Sequence, residues 1–155
     1  MTVDYRLLGP QDAHFLDNVA DDVFDHAVET RLALEFLSDP RHHIVVAIDD
    51  GVVIGMVTAL HYVHPDKLPQ LFVNELGVAG SHRRRGIARR LMNEMLEHAA
   101  SLGCTEAWVG TENENVAARS LYESLSNAEE QFVLYTLSVP QPEPQVESDK
   151  AVIPE

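Results

Sequence analysis

The chain has 155 residues, a length that fits one domain with a substantial hydrophobic core. Its formal net charge of -14 argues against nucleic acid as a partner, because phosphate contacts require a basic surface. A single cysteine, Cys104, excludes an internal disulfide framework, and no apolar run reaches the roughly 20 residues needed to span a bilayer. Since the N-terminal residues also lack a signal-peptide pattern, we expect a cytoplasmic protein.

The hydrophobic pattern predicts a mixed α and β domain over residues 1–139. The predicted strands are residues 3–8, 43–48, 52–60, 71–78, 105–111 and 131–139, and the predicted helices are residues 11–37 in two pieces, 87–102 and 115–124. Asp49-Asp50-Gly51 predicts a tight hairpin turn, and Gly103 is placed to end the second long helix. A strand–helix–strand order in the second half predicts a crossover with nearly parallel strands. Residues 140–155 are rich in proline and glutamate and predict a tail without regular structure.

The few basic residues of this acidic chain are concentrated in one place. Five of the eleven lie within eight residues, namely Arg83, Arg84, Arg85, Arg89 and Arg90. They lie where a predicted strand passes into a helix, whose first backbone N–H groups are unpaired and point toward an incoming anion. Positive charge at a helix start opposes the helix dipole, so a solvated arginine-rich turn is the less favoured alternative to a bound anion. Gly86 would let the backbone approach that anion closely, and the pattern matches neither the common dinucleotide nor the nucleoside-triphosphate loop.

These residues carry a family resemblance. The run from residue 83 to residue 88, Arg-x-x-Gly-x-Ala, resembles the R/Q-x-x-G-x-G/A signature of the GNAT acetyltransferases. Residues 115–123, Asn-x-x-Ala-x-x-Leu-Tyr-Glu, follow in the expected order, and the resemblance covers residues 3–139. Within that superfamily the chain is similar to the GNAT-type aminoglycoside 3-N-acetyltransferases, through residues 22–25, 62–65 and 74–78. The resemblance implies an α+β GNAT fold, with a twisted mixed sheet of six to seven strands and helices on both faces.

The resemblance also implies acetyl-coenzyme A (acetyl-CoA) as cosubstrate. Main-chain groups of the signature would hold its diphosphate, and the implied residues are Arg83, Arg84, Arg85, Gly86, Ile87 and Ala88. The preceding strand would pair with the pantetheine arm through Leu76, Gly77 and Val78, with the Val78 amide near the thioester oxygen. Asn115 resembles the asparagine that touches the pantetheine in this family.

Two side chains match the family's proton-transfer positions. Glu75 is the expected general base that removes a proton from the attacking amine. The alternative is that Glu75 only binds a cationic substrate or pairs with an arginine. Tyr122 matches the tyrosine that protonates the departing thiolate, and its alternative is a tyrosine packed in the core.

The implied acceptor is an aminoglycoside, at its 3-amino group, and transfer would be direct. An acidic site would suit such a polycation, and the expected substrate-binding residues are Asp21, Asp22, Asp25, Glu75 and Glu112. Asp17, Asp21 and Asp25 recur every four residues and would share one face of the first predicted helix, the alternative being a solvated surface. No metal site is predicted, because His61 and His64 have no further ligand pattern around them.

Other functions remain open at this point. The acceptor could be another small amine, a polyamine or a protein amino group, and resistance to antibiotics would then not follow. A coenzyme A-binding module without catalysis is a third hypothesis, disfavoured because Glu75 and Tyr122 are both present. A homodimer is expected by analogy with the family.

Overall fold

The computed structural model describes residues 2–126 and 128–142. The strands are β1 (Asp4–Leu7), β2 (His42–Asp49), β3 (Val52–His64), β4 (Lys67–Val78) and β5 (Glu106–Val109). The helices are α1 (Thr30–Ser38), α2 (Ile87–Ser101) and α3 (Val116–Leu125), with short 3-10 turns at Ala13–Asp17 and Gly80–His82. Within these ranges no helix combines the length and the apolar character that a bilayer-crossing segment needs.

The five strands form one mixed sheet in the order β1-β2-β3-β4-β5. The first four are antiparallel neighbours, whereas β5 lies parallel to β4 because α2 connects them. Helix α2 packs on one face of the sheet, and α1 with the first 3-10 turn packs on the other. The predicted α+β class, a mixed sheet with helices on both faces, is therefore confirmed.

The core lies between the central strands and α2. Strands β2 and β3 carry long apolar runs because both of their faces are covered, and Val46 and Met56 have no exposed surface. Leu91 and Met95 stand one turn apart on α2 and are also fully buried. Helix α2 ends at the predicted position, where Gly103 adopts a left-handed φ of 82°.

The β2–β3 hairpin confirms the predicted turn, with left-handed φ angles of 49° at Asp50 and 76° at Gly51. The loop predicted around residues 65–69 is shorter than expected, because β3 continues to His64 and β4 begins at Lys67. Proline is tolerated at position 69 because it lies at an irregularity of the β3–β4 ladder and before the pairing with β5, which begins at Gln70.

The predicted helical region over residues 11–37 is wrong in its middle. Residues 18–29 form no helix but run along the start of β3, where Val53 N donates to Asn18 O and Ala20 N donates to Val53 O, each at 2.9 Å. Aspartates four residues apart repel one another along a helix, and bonds to a strand replace the helical ones. Asp22 consequently takes a left-handed φ of 63°.

The predicted last strand, residues 131–139, is also wrong within the described residues, so the sheet has five strands rather than six or seven. The segment is apolar but lies outside the sheet, and Leu134 and Leu137 are 82% and 80% exposed. Strand propensity alone does not form a strand, because a strand needs a partner for its backbone hydrogen bonds. Most of the predicted tail, residues 143–155, lies outside the described residues.

Candidate active site

A β-bulge determines where Glu75 points. In the β3–β4 ladder Thr58 faces Glu75 and Ala59 faces Val73, so Asn74 is an extra residue in β4. An extra residue reverses the alternation of side chains, and Glu75 therefore lies on the opposite face from Val73. Regular alternation would have sent Glu75 to the α2 face, but the bulge turns it toward the face covered by α1. Sequence reasoning missed this feature, since nothing in residues 71–78 alone signals it.

Glu75 lies in a cleft of about 330 Å³ between the sheet, α1 and the segment 18–29. The walls are largely apolar and include Phe24, Leu32 and Phe36. Asp25 lines the same cleft, so the structure brings together these two of the predicted substrate-binding residues. A polar group entering this cleft would meet carboxylates against an apolar background, the usual character of a small-molecule site.

The Glu75 carboxyl has an environment suited to a base. Burial raises its pKa above the ordinary value of 4.5, and the negative charge of Asp25 raises it further. In the described part of the chain, neither Glu75 nor Asp25 has an ion-pair partner. Within the described residues, Glu75 therefore does not pair with an arginine.

The other predicted acidic residues are dispersed. Asp21 and Asp22 line a second cleft, of about 480 Å³, beside Gly80 and the start of β3. The expected single acidic helix face does not exist, because the segment that carries it is not helical. Glu112 follows β5, is exposed, and lines neither cleft.

Gly77 fixes the segment 18–29 against β4. A Cβ atom at this position would lie 2.1 Å from the carbonyl oxygen of Val23, far inside any allowed contact. The absence of a side chain therefore lets the segment cross β4 closely, two residues before Asp25. This crossing places Asp25 near Glu75.

The far end of β4 has an open edge. Strand β5 pairs only with residues 70–73 of β4, so Leu76, Gly77 and Val78 have no β5 partner. Their outward main-chain groups are free to pair with an extended chain that contains amides. One carbonyl is engaged, since Arg83 Nε donates to Val78 O at 3.2 Å.

The start of α2 has the form of an anion site. Gly86 precedes the helix with a left-handed φ of 77°, no side chain caps the first turn, and that turn contains no acidic residue. A Cβ at Gly86 would meet nothing within 4 Å, so the approach to the N–H groups of Ile87 and Ala88 is open. Arg84 also has a left-handed φ, 60°, and both Arg84 and Arg85 are exposed.

Helix α3 carries the remaining predicted residues. Asn115 caps it, accepting a hydrogen bond from Ala118 N at 3.1 Å, which leaves its amide NH₂ available to donate. Tyr122 packs against the core, and burial raises the pKa of its hydroxyl. The hydroxyl therefore keeps its proton at neutral pH, although burial makes it a weaker acid than an ordinary tyrosine. Arg89 Nη2 donates to Ser124 Oγ at 2.8 Å and ties α3 to the first turn of α2.

The acetyltransferase (GNAT) family model matches residues 12–126 of the chain. The chain belongs to this family. The GNAT assignment accounts for the placement of an open β4 edge beside an uncapped, arginine-flanked helix start.

Two curated relatives and one solved structure illustrate the likeness. An L-2,4-diaminobutyric acid acetyltransferase of Marinococcus halophilus is 34% identical over 88 residues, 56% of this chain and 49% of the relative. An aminoglycoside N(6′)-acetyltransferase type 1 of Serratia marcescens is 30% identical over 116 residues, 72% of this chain and 77% of the relative. The structure of AAC(6′)-Iy with a bisubstrate analogue, CoA-S-monomethyl-acetylneamine, superposes with a TM-score of 0.74 at 22% identity, covering 90% of this chain and all of that one. The chain spans about half the length of the diaminobutyric acid enzyme.

GNAT enzymes use acetyl-CoA, and the residues present fit it. The uncapped amides of Ile87 and Ala88 offer donors for a diphosphate, with the charges of Arg84 and Arg85 beside them. The cosubstrate, when bound, supplies an activated thioester as acetyl donor. The open edge at Leu76, Gly77 and Val78 would hold its amide-containing arm.

His61 and His64 both interact with other side chains. His61 lies on the α2 face, where His43 Nε2 is 2.8 Å from His61 Nδ1 and His98 Nε2 is 3.0 Å from His43 Nδ1. His64 is paired with Asp66. The part of the chain that the structure describes contains no group of three ligands arranged around a metal.

Proposed function

We propose that this GNAT enzyme transfers the acetyl group of acetyl-CoA directly to a primary amine of an aminoglycoside, and thereby confers resistance to the antibiotic. The observation that carries the proposal is the position of Glu75. Its carboxyl has a raised pKa and no basic partner among the described residues, and it shares a cleft with Asp25 beside the open edge of β4.

The chemistry assigns one task to each residue. The Glu75 carboxylate takes the proton of the protonated amine, which frees the nitrogen lone pair to attack the acetyl carbon. The Val78 amide donates to the oxygen on which negative charge develops. As the carbon–sulfur bond breaks, Tyr122 gives its hydroxyl proton to the leaving sulfur. The nitrogen loses its second proton to solvent as the amide forms, and a proton from solvent restores the Tyr122 hydroxyl. The products are the N-acetylated amine and free coenzyme A, and the proton taken up by Glu75 returns to solvent.

The charge of the cleft region supports a cationic acceptor. Five carboxylates line the two clefts or lie between them, and none has an ion-pair partner in the described ranges. They are Asp21, Asp22, Asp25, Glu29 and Glu75. A polyamine antibiotic would be attracted by this field. The position acetylated stays a prediction: the resemblance favours the 3-amino group, and the Serratia relative is named for the 6′-amine.

A smaller amine is the second candidate. The Marinococcus relative is named for diaminobutyric acid, and the Glu75 cleft is narrow and walled by Phe24 and Phe36. A short diamine would occupy that cleft without reaching Asp21 or Asp22.

A thiol-release assay with acetyl-CoA separates these candidates. Aminoglycosides, linear polyamines, diamino acids and peptides would be tested at equal concentration, and product NMR would locate the acetyl group. We expect the highest kcat/KM with an aminoglycoside. Preference for a diamino acid would favour the second candidate. Coenzyme binding without turnover of any amine would favour a non-catalytic module.

We also propose that the enzyme is a homodimer in the cytoplasm, with residues 131–139 in the interface. This segment has no charged residue in a chain of net charge -14, and its large side chains are mostly exposed. Phe132 lies near the end of β5, since a Cβ added at Gly110 would be 3.4 Å from its ring, and the outer edge of β5 is unpaired in the described structure. Addition of this segment to β5 of a second copy would cover both surfaces in each protomer.

A further inference from the structure

The hydroxyl of Thr58 is a buried polar group without a partner. Thr58 is 9% exposed, and its Oγ1 atom makes no hydrogen bond within the described residues. Leaving such a group unpaired lowers stability, so folding alone gives no reason to place a hydroxyl there. Valine, which has nearly the same shape, would fill the position without that cost.

Thr58 stands directly beside the proposed base. It faces Glu75 in the β3–β4 register, and both side chains line the cleft that also contains Asp25. Directly opposed residues on antiparallel strands have Cβ atoms about 4.5–5.5 Å apart. A single small group in the cleft can therefore contact both side chains.

We propose that Thr58 Oγ1 is a binding and specificity-determining group that accepts a hydrogen bond from the acceptor amine while Glu75 takes its proton. The inference rests on the proposed function and adds a residue to it. A primary ammonium has three N–H donors, and Thr58, Glu75 and Asp25 can each accept one, in a cleft whose lining also includes Glu29. Two charged acceptors and one neutral one bind the cation without placing a third carboxylate beside Glu75.

The neutral character of Thr58 matters to the base. A third carboxylate in its place would raise the pKa of Glu75 further and leave it protonated over more of the working range. A hydroxyl accepts a directed hydrogen bond but adds no charge to the cleft. It also favours an acceptor with several N–H donors, so a primary amine binds more tightly than a tertiary one.

The test replaces Thr58 by valine, which removes the hydroxyl and keeps the shape, and by serine, which keeps the hydroxyl. We expect Thr58→Val to lower kcat/KM for the best amine of the panel roughly tenfold, the loss of one hydrogen bond to a charged group. The KM for acetyl-CoA should not change, and the melting temperature should stay equal or rise because an unpaired hydroxyl is gone. Thr58→Ser should restore most of the kcat/KM.

Titration calorimetry of the same amine into the complex with coenzyme A gives a readout without turnover. Thr58→Val should weaken amine binding by a similar factor. The inference would be overturned if Thr58→Val kept the kinetics and amine affinity of the wild type while Glu75→Gln lost its activity. The proposed function would still stand in that case. Absence of amine turnover and binding in the wild type would instead overturn the proposed function.

Discussion

The role proposed for Glu75 depends on its neighbours rather than on its residue type. The bulge at Asn74 turns it into the cleft, burial and Asp25 raise its pKa, and no described residue forms an ion pair with it. A carboxylate with a raised pKa is a stronger base than an ordinary one, so it removes the proton of an ammonium more readily. The raised pKa also means that Glu75 loses its proton only at a higher pH than an ordinary carboxyl group.

Replacement of Glu75 by glutamine tests this assignment. The amide keeps the shape but cannot take a proton, and general base catalysis is worth about 10²–10⁴ in rate. We expect kcat to fall by that order, with the affinity for coenzyme A unchanged. In the wild type, log kcat/KM should rise with pH through a pKa above 4.5, because only the carboxylate form is active.

The matched control is Glu29→Gln, which changes a carboxylate that lines the same cleft. It should keep kcat and the same acid limb, with only a rise in the KM for a cationic amine. Asp25→Asn should move the acid limb to lower pH, because the charge that raises the Glu75 pKa is removed. An unchanged kcat in Glu75→Gln would mean that the base lies elsewhere.

Among the elements, the sequence predicts those features that depend on a few neighbouring residues. The hairpin at Asp50-Gly51 and the end of α2 at Gly103 follow from backbone preferences of a few residues, and the arginines around Gly86 indicate the anion site. The bulge at Asn74 could not be predicted, because it is a property of the pairing between β3 and β4. The segment 18–29 was predicted helical from its spacing, but its bonds to Val53 are long-range and override that preference.

Gly77 tests whether the crossing of segment 18–29 builds the acceptor cleft. Gly77→Ala places a Cβ where it would lie 2.1 Å from Val23 O, so the segment must move away from β4. We expect a loss of amine kcat/KM of about tenfold or more and a lower melting temperature, since overpacking typically costs about 1–3 kcal/mol. Steady-state kinetics and thermal unfolding measure both.

Gly80→Ala is the matched control, because its Cβ would meet only Asp22 Oδ2 at 3.8 Å, an ordinary contact. It should behave like the wild type. Equal effects in the two variants, or no effect in Gly77→Ala, would refute the proposed role of the crossing.

For the whole molecule, the three histidines on the α2 face predict an acid-sensitive fold. Burial lowers the pKa of His43 to about 4, with His98 and His61 contributing and Asp39 opposing, and burial also lowers the pKa of His98. The unfolded chain therefore binds more protons than the folded one between about pH 6.5 and 4, and the free energy of unfolding falls as the pH falls through that window.

Thermal unfolding at a series of pH values measures this dependence. We expect His98→Asn to flatten the curve over that window, because one of the interacting imidazoles is gone. His14→Asn removes an exposed histidine outside the cluster and should leave the curve as in the wild type. A stability that rises on acidification would contradict the assignment.

The proposed dimer is also a property of the whole molecule. Residues 131–139 are apolar in sequence, but the sequence cannot specify whose sheet edge they meet. Light scattering after size exclusion should give two chains for the wild type, and Leu134→Asp should shift the population to single chains. Val116→Asp, at another exposed apolar position, should stay dimeric. A dimer that survives Leu134→Asp would place the interface elsewhere, and a single-chain wild type would remove it.

The account depends most on the anion site at the start of α2. Titration calorimetry should compare coenzyme A with pantetheine, which lacks the diphosphate and the adenosine 3′-phosphate attached to it, and with phosphopantetheine, which keeps one phosphate of the diphosphate. Several hydrogen bonds to a charged group are at stake, so we expect pantetheine to bind roughly a hundredfold more weakly. Equal affinities for coenzyme A and pantetheine, or no measurable binding of coenzyme A, would contradict the assignment of the uncapped helix start to the diphosphate.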